Sequence, residues 1–158
     1  MSSHEILVVS NAIPQQKTKY SAGYDLPVTE ELTAKPFGIV RTELDLKLKM
    51  PLNIYAQIRI RSSVAEQWEV LGGLIDPDYR ETIFLKLRNI SETDQTIRKG
   101  ECPAQITFHE RCAPLLKGVP AFNKARLDRP RKLCAPPTAA PEEPTEEGVN
   151  AIVIAEEL

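Results

Sequence analysis

Apolar and polar residues alternate with period two in three runs of the chain. Between Glu43 and Met50, Leu44, Leu46, Leu48 and Met50 fall on one side, with Glu43, Asp45, Lys47 and Lys49 on the other. From Ile54 to Arg61, Ile54, Ala56, Ile58 and Ile60 share a face opposite Tyr55, Gln57, Arg59 and Arg61. From Ile83 to Arg88, Ile83, Leu85 and Leu87 alternate with Phe84, Lys86 and Arg88. Successive side chains of a strand point to opposite faces, so these runs predict strands with one buried face. Ile6–Ser10, Gly38–Arg41 and Ala104–Phe108 are shorter candidates. Pro, Gly, Asn and Asp break the first 110 residues between them, which predicts an all-β sandwich, jelly roll or barrel and not an α/β fold.

One short helix is expected after the second run. Ser63-Val64-Ala65-Glu66 fits a capping box with Ser63 as N-cap, and Gly72-Gly73 limits the helix to about two turns. Ser62 and Ser63 then stand at its N-terminus, where unpaired amides suit an anion; they equally serve as caps and nothing more. Residues 134–150 hold Pro136, Pro137, Pro141 and Pro144 among Ala, Thr and Glu, and read as an extended linker. The β-prone run Ala151-Ile152-Val153-Ile154-Ala155 comes after it. The expected organisation is a β domain over 1–133, a Pro/Glu-rich linker over 134–150 and a C-terminal strand within 151–158. That strand gains little alone, so it is expected to join a sheet edge, that of a neighbouring subunit in preference to its own.

At 158 residues the chain can bury one core. Its net charge of −2 includes six Glu and no Lys or Arg after Leu133, which leaves +4 for residues 1–133. A body this mildly basic suits a small polyanion or signifies nothing; it does not hold a nucleic-acid polymer. No apolar run approaches the roughly 20 residues of a membrane helix. Met1-Ser2-Ser3-His4-Glu5 does not resemble a secretion signal, and Cys102, Cys112 and Cys134 are odd in number and widely spaced. An intracellular setting, cytoplasmic or nuclear, is therefore expected.

Neither a Ser-His-Asp nor a Cys-His arrangement can be argued from His4 and His109, and the cysteines lack zinc spacing. The distinctive segment is Gly72-Gly73-Leu74-Ile75-Asp76-Pro77-Asp78-Tyr79-Arg80. Its glycines allow unusual backbone angles and a close ligand, and Asp76 after two apolar residues is a candidate base. The same residues are equally a hairpin with Pro77 at its corner. Ala22-Gly23-Tyr24-Asp25-Leu26, Arg61-Ser62 and Gly100-Glu101-Cys102-Pro103-Ala104-Gln105 each read as functional segments or as plain strand boundaries.

In this order and at these intervals, the segments resemble the motifs of the homotrimeric dUTPase family. The resemblance runs through Ala22–Leu26, Arg61-Ser62-Ser63-Val64-Ala65, Gly73–Arg80 and Gly100–Gln105, over roughly residues 18–110. It implies a dUTPase-like jelly roll or distorted β-barrel, a homotrimer with its active sites at subunit interfaces, and hydrolysis of dUTP to dUMP and pyrophosphate with Mg²⁺. By that resemblance Asp76 activates the water, Tyr79 packs on the deoxyribose and excludes a 2′-hydroxyl, and the backbone near Gly73 reads uracil. Ser62 and Gln105 contact phosphates, Arg61 supports the phosphate region, and Asp25 holds the magnesium through its water shell. The related dCTP deaminases share this fold, but Asp76-Pro77-Asp78-Tyr79 resembles the dUTPase branch more.

The chain also departs from the family pattern. Ser63 and Val64 stand where glycine and leucine are usual, Asn53 replaces a turn glycine, Glu81 the glycine after Arg80, and Cys102 an arginine. The family's Gly-rich fifth motif has no counterpart; Lys124, Arg126, Arg129, Arg131 and Lys132 supply charge there without glycine flexibility. These departures fit a divergent, viral member. They also raise the alternative of a non-catalytic module of the same fold that binds nucleotide or a protein partner.

Overall fold

The computed structural model describes residues 4–122 and the strand Ile152–Ala155. The chain divides into two units, Met1–Cys112 and Ala113–Leu158. The first contains eleven strands: β1 Leu7–Val9, β2 Tyr24–Leu26, β3 Leu32–Ala34, β4 Ile39–Glu43, β5 Lys47–Lys49, β6 Ile54–Ile60, β7 Trp68–Val70, β8 Leu74–Ile75, β9 Phe84–Asn89, β10 Gln95–Ile97 and β11 Ala104–Glu110. They form a four-stranded sheet β2-β11-β6-β8, a three-stranded sheet β4-β9-β7, and the pairs β1-β5 and β3-β10. The sheets do not close into a barrel among the described residues, so the fold is an open all-β architecture.

The alternating runs account for this arrangement. Leu44, Leu46, Leu48 and Met50 are all buried, although within their run only Glu43, at the end of β4, and Lys47–Lys49 pair as strands. Ala56 and Ile58 of β6 face the same core as Ala104 and Ile106 of β11, in an antiparallel ladder from Ala104↔Ile60 to Glu110↔Ile54. Leu85 and Leu87 of β9 close that core with Leu26, Val28 and Trp68. Each such large side chain contributes roughly 1.5–3 kcal/mol when fully buried. Asn89 is fully buried, and its side chain donates to the Ala34 and Thr93 carbonyls and accepts from Ser91.

The expected two-turn helix is a single 3₁₀ turn, Ser62–Val64, with Arg61 and not Ser63 at its N-cap and no side-chain cap bond. Residues 68–70, which would have continued it, form β7 against β9, and Trp68 is buried. Burying an indole outweighs a local cap worth about 1 kcal/mol.

In the second unit, β12 Leu115–Gly118 pairs antiparallel with β13 Ile152–Ala155 of the same chain, from Leu115↔Ala155 to Gly118↔Ile152. The expected linker over 134–150 and the basic residues between Lys124 and Lys132 lie outside the described residues.

Candidate active site

Strand pairing brings three of the four sequence segments to one corner. Asp25 on β2 lies opposite Gln105 on β11, which lies opposite Arg59 on β6. Two residues past Arg59, Arg61 leaves the strand with its amide on the Pro103 carbonyl at 2.9 Å. Its side chain turns back into the corner: Nε is 3.3 Å from Asp25 Oδ1, and Nη1 donates to the Cys102 carbonyl at 3.0 Å. Both partners of the ion pair are 22 % exposed, so they attract each other more strongly than a surface pair does. Ser62 is next in the chain, exposed, at the start of the 3₁₀ turn.

The corner is tight around Gln105. A Cβ added at buried Gly23 would stand 2.8 Å from Gln105 Oε1 and 2.9 Å from the Ile106 carbonyl. Only glycine lets the backbone of 22–24 close on the Gln105 side chain in this way. Sequence reasoning places Gly23 in a motif without giving it a task; a glycine at a strand's threshold is the signal of close backbone approach. It also misses the Cys102 carbonyl as the acceptor that holds Arg61. The Cys102 thiol is pushed above the ordinary range, first by burial and then by the Asp25 carboxylate, with Arg61 opposing both.

A cleft of about 400 Å³ opens beside Arg61, lined also by Ser63, Gln67, Gln95, Glu101 and Cys102. A larger one, about 620 Å³, lies among Asn11, Pro27 and Lys99 and is lined by none of the expected site residues.

Asp76 and Tyr79 belong to a different place, beyond the glycine pair Gly72-Gly73. Gly72 and Gly73 have φ of +71° and +95°, which an L side chain rarely adopts. The Gly73 carbonyl accepts from Ile58 N–H at 2.8 Å, and β8 then pairs Leu74 with Gln57 and Ile75 with Ala56. Asp76 opens a turn closed by Tyr79 N–H on the Asp76 carbonyl at 3.1 Å. Arg80 Nη1 donates to the carbonyls of Pro77 and Tyr79, at 2.6 and 3.2 Å. Ala56, the partner of Ile75, precedes Arg61 by five residues, or about 16 Å at 3.3 Å per residue of strand. One chain therefore gathers Asp25, Arg61, Ser62 and Gln105, and holds Asp76 and Tyr79 apart from them.

The corner also bears on a metal. Among the described residues no three His, Cys, Asp or Glu side chains gather as a ligand set. Magnesium binds through one or two carboxylates, substrate phosphates and retained waters, so a lone Asp25 fits a shared ion and not a protein cage.

Comparison with known proteins bears on the family and the fold. The dUTPase family model matches residues 10–130. The deoxyuridine 5′-triphosphate nucleotidohydrolase of Fowlpox virus (strain NVSL) is 35 % identical over 117 residues, covering 73 % of this chain and 81 % of that protein. The enzyme of the same name from Paramecium bursaria Chlorella virus 1 is 31 % identical, over 68 % of this chain and 78 % of that one. Among solved structures, native EIAV dUTPase superposes with a TM-score of 0.66 at 19 % identity, over 78 % of this chain and all of that one. The dUTPase of Staphylococcus bacteriophage 80alpha, a G164S mutant with dUpNHpp, gives 0.69 at 19 % identity, over 84 % and 97 %. No helix among the described residues is long and apolar enough to cross a membrane. By its family match and the extent of its relatives, the chain belongs to the dUTPase family.

Proposed function

We propose that the chain hydrolyses dUTP to dUMP and pyrophosphate, with Asp76 as the general base. Water oxygen bonds to the α-phosphorus as its proton passes to the Asp76 carboxylate. The bond to the bridging oxygen breaks, and pyrophosphate leaves. The observation that carries this reading is the convergence of Asp25, Arg61 and Gln105 from three distant segments. With Nε toward Asp25 and Nη1 on the Cys102 carbonyl, the Nη2 edge of Arg61 has no partner among the described residues and would meet phosphate oxygens. Gln105, held by Gly23, and exposed Ser62 supply neutral donors beside it. Tyr79 walls the sugar, and the backbone at Gly73 reads the uracil edge. Asp25 would hold Mg²⁺ through bound water, and the ion when bound neutralises phosphate charge.

The separation of Asp76 from Arg61 within one chain supports a homotrimer in which the turn of one subunit meets the corner of another. Exchange of Ile152–Ala155 onto a partner's β12, in place of the pairing within one chain, is part of this proposal. Light scattering of the full chain, and of a chain ending at residue 148, tests it. The full chain should be trimeric and the short one should dissociate at higher concentration; a monomeric full chain would end the shared-site mechanism.

A second reading has two observations in its favour. Cys102 brings no cation to the phosphate region, and Arg61 is already neutralised by Asp25. A weakly or non-catalytic module that binds nucleotide, or uses the fold to hold a protein partner, accounts for that. Pyrophosphate release from dUTP, set against dCTP and dTTP, decides between the two. Hydrolase function requires dUTP turnover about 10²-fold or more above the others. Nucleotide binding without release favours the module.

A further inference from the structure

The Tyr79 ring is tied at both ends, and the far tie is anchored in the core. At the near end, Tyr79 N–H donates to the Asp76 carbonyl at 3.1 Å, so ring and carboxylate belong to one turn. At the far end, the Tyr79 hydroxyl donates to the Thr82 carbonyl at 3.0 Å. That carbonyl shares a peptide unit with the Ile83 N–H, which donates to the Leu46 carbonyl at 2.9 Å. Ile83 is 2 % exposed, and its own carbonyl accepts from Leu44 N–H at 2.9 Å. A peptide unit is planar, so fixing its N–H fixes the direction of its carbonyl. The hydroxyl therefore docks on a group whose position is set by the core. Two residues lie between ring and anchor, Arg80 and Glu81, the second in the place where resemblance to the family expects glycine.

We infer that the hydroxyl of Tyr79, through the Thr82 carbonyl, is the specificity-determining tether that holds the ring against a 2′-hydroxyl. This rests on the hydrolase reading above. A ring held only at its Cα end can rotate about χ1 and χ2 and yield to one additional oxygen. A ring pinned at its hydroxyl meets that oxygen as a fixed wall. Discrimination here is a clash built against the wrong substrate, so it depends on the stiffness of the wall. Removing the tether leaves the aromatic surface and frees its position.

The test compares parent and Tyr79→Phe for the ratio of kcat/KM on dUTP to that on UTP. Loss of one net hydrogen bond, about 0.5–1.5 kcal/mol, converts to a fall in that ratio of about two- to thirteenfold. A purely structural role would change both substrates together and leave the ratio alone. A ratio in Tyr79→Phe that is unchanged or higher overturns the inference while the hydrolase reading stands. A parent that hydrolyses neither nucleotide defeats the hydrolase reading itself, and this inference with it. A Tyr79→Leu variant sharpens the outcome: with the aromatic wall gone as well, its ratio should fall below that of Tyr79→Phe, and a ratio above it would also overturn the inference.

Discussion

The corner at Asp25 and the turn at Asp76 hold their groups by opposite means. In the corner, ladders β2-β11-β6 set the backbone, and the side chains fill what remains: an ion pair, a guanidinium on a carbonyl, an amide over a glycine. In the turn, the carboxylate of Asp76 is exposed and the order lies in the backbone beneath it. The corner is thus organised before any ligand arrives, as a site for charge must be if binding is not to pay for its assembly. The turn presents a carboxylate and a ring on a short braced arm. Damage to the first should therefore reach stability and binding together, and damage to the second should reach chemistry alone.

The sharpest break in that contrast is Asp76→Asn. An exposed amide replaces an exposed carboxylate, so thermal stability should stay within about 0.5 kcal/mol of the parent. Turnover should fall about 10²–10⁴-fold, the usual contribution of a general base. Single-turnover kinetics beside a melting curve measures both, and near-parental turnover removes Asp76 from its role. Gly23→Ala should do the reverse. The new methyl meets the Ile106 carbonyl at 2.9 Å as well as the Gln105 side chain. A cost of about 1–3 kcal/mol is expected from overpacking, together with weaker triphosphate binding. Urea unfolding that shows no loss would mean that the corner is looser than its geometry implies.

The smallest effect concerns Cys102. Its raised thiol pKa, caused by burial and by Asp25, keeps it protonated where an ordinary thiol has begun to ionise. Alkylation near the reference thiol pKa of about 8.5 should be slower at Cys102 than at exposed Cys112. The folded state holds this proton more tightly than the unfolded one. Its contribution to stability is therefore complete below the unfolded thiol pKa and declines as pH rises through the folded one. Asp25→Asn should speed the alkylation of Cys102; equal rates at both thiols in the parent would contradict the burial.

Much of the fold is legible because it is written with period two. Leu44 to Met50, Ile54 to Ile60 and Ile83 to Leu87 declare their buried faces without reference to anything distant. The helix expected after Arg61 fails for the complementary reason. A capping box is a local signal, whereas Trp68 to Val70 are governed by pairing with β9, some twenty residues on in the chain. The site residues are legible only as family-like segments in order. That Arg61 meets Asp25 depends on which strands lie side by side, and no spacing between positions 25 and 61 announces it. Nor does any side chain announce the Thr82 and Cys102 carbonyls, since every residue type carries that acceptor.

The hold on Arg61 has a consequence for how such a chain can change over time. Arg61 grips the main chain of residue 102 and leaves its side chain free of that duty. A substitution there, even of arginine by cysteine, can alter the charge of the corner while the grip itself persists. Gly23 and Gln105 have no such freedom, because one fills the space that the other vacates. Within a few ångströms the corner thus combines a position open to drift with a pair that must be inherited together, and divergence in this lineage has a ready path through the first.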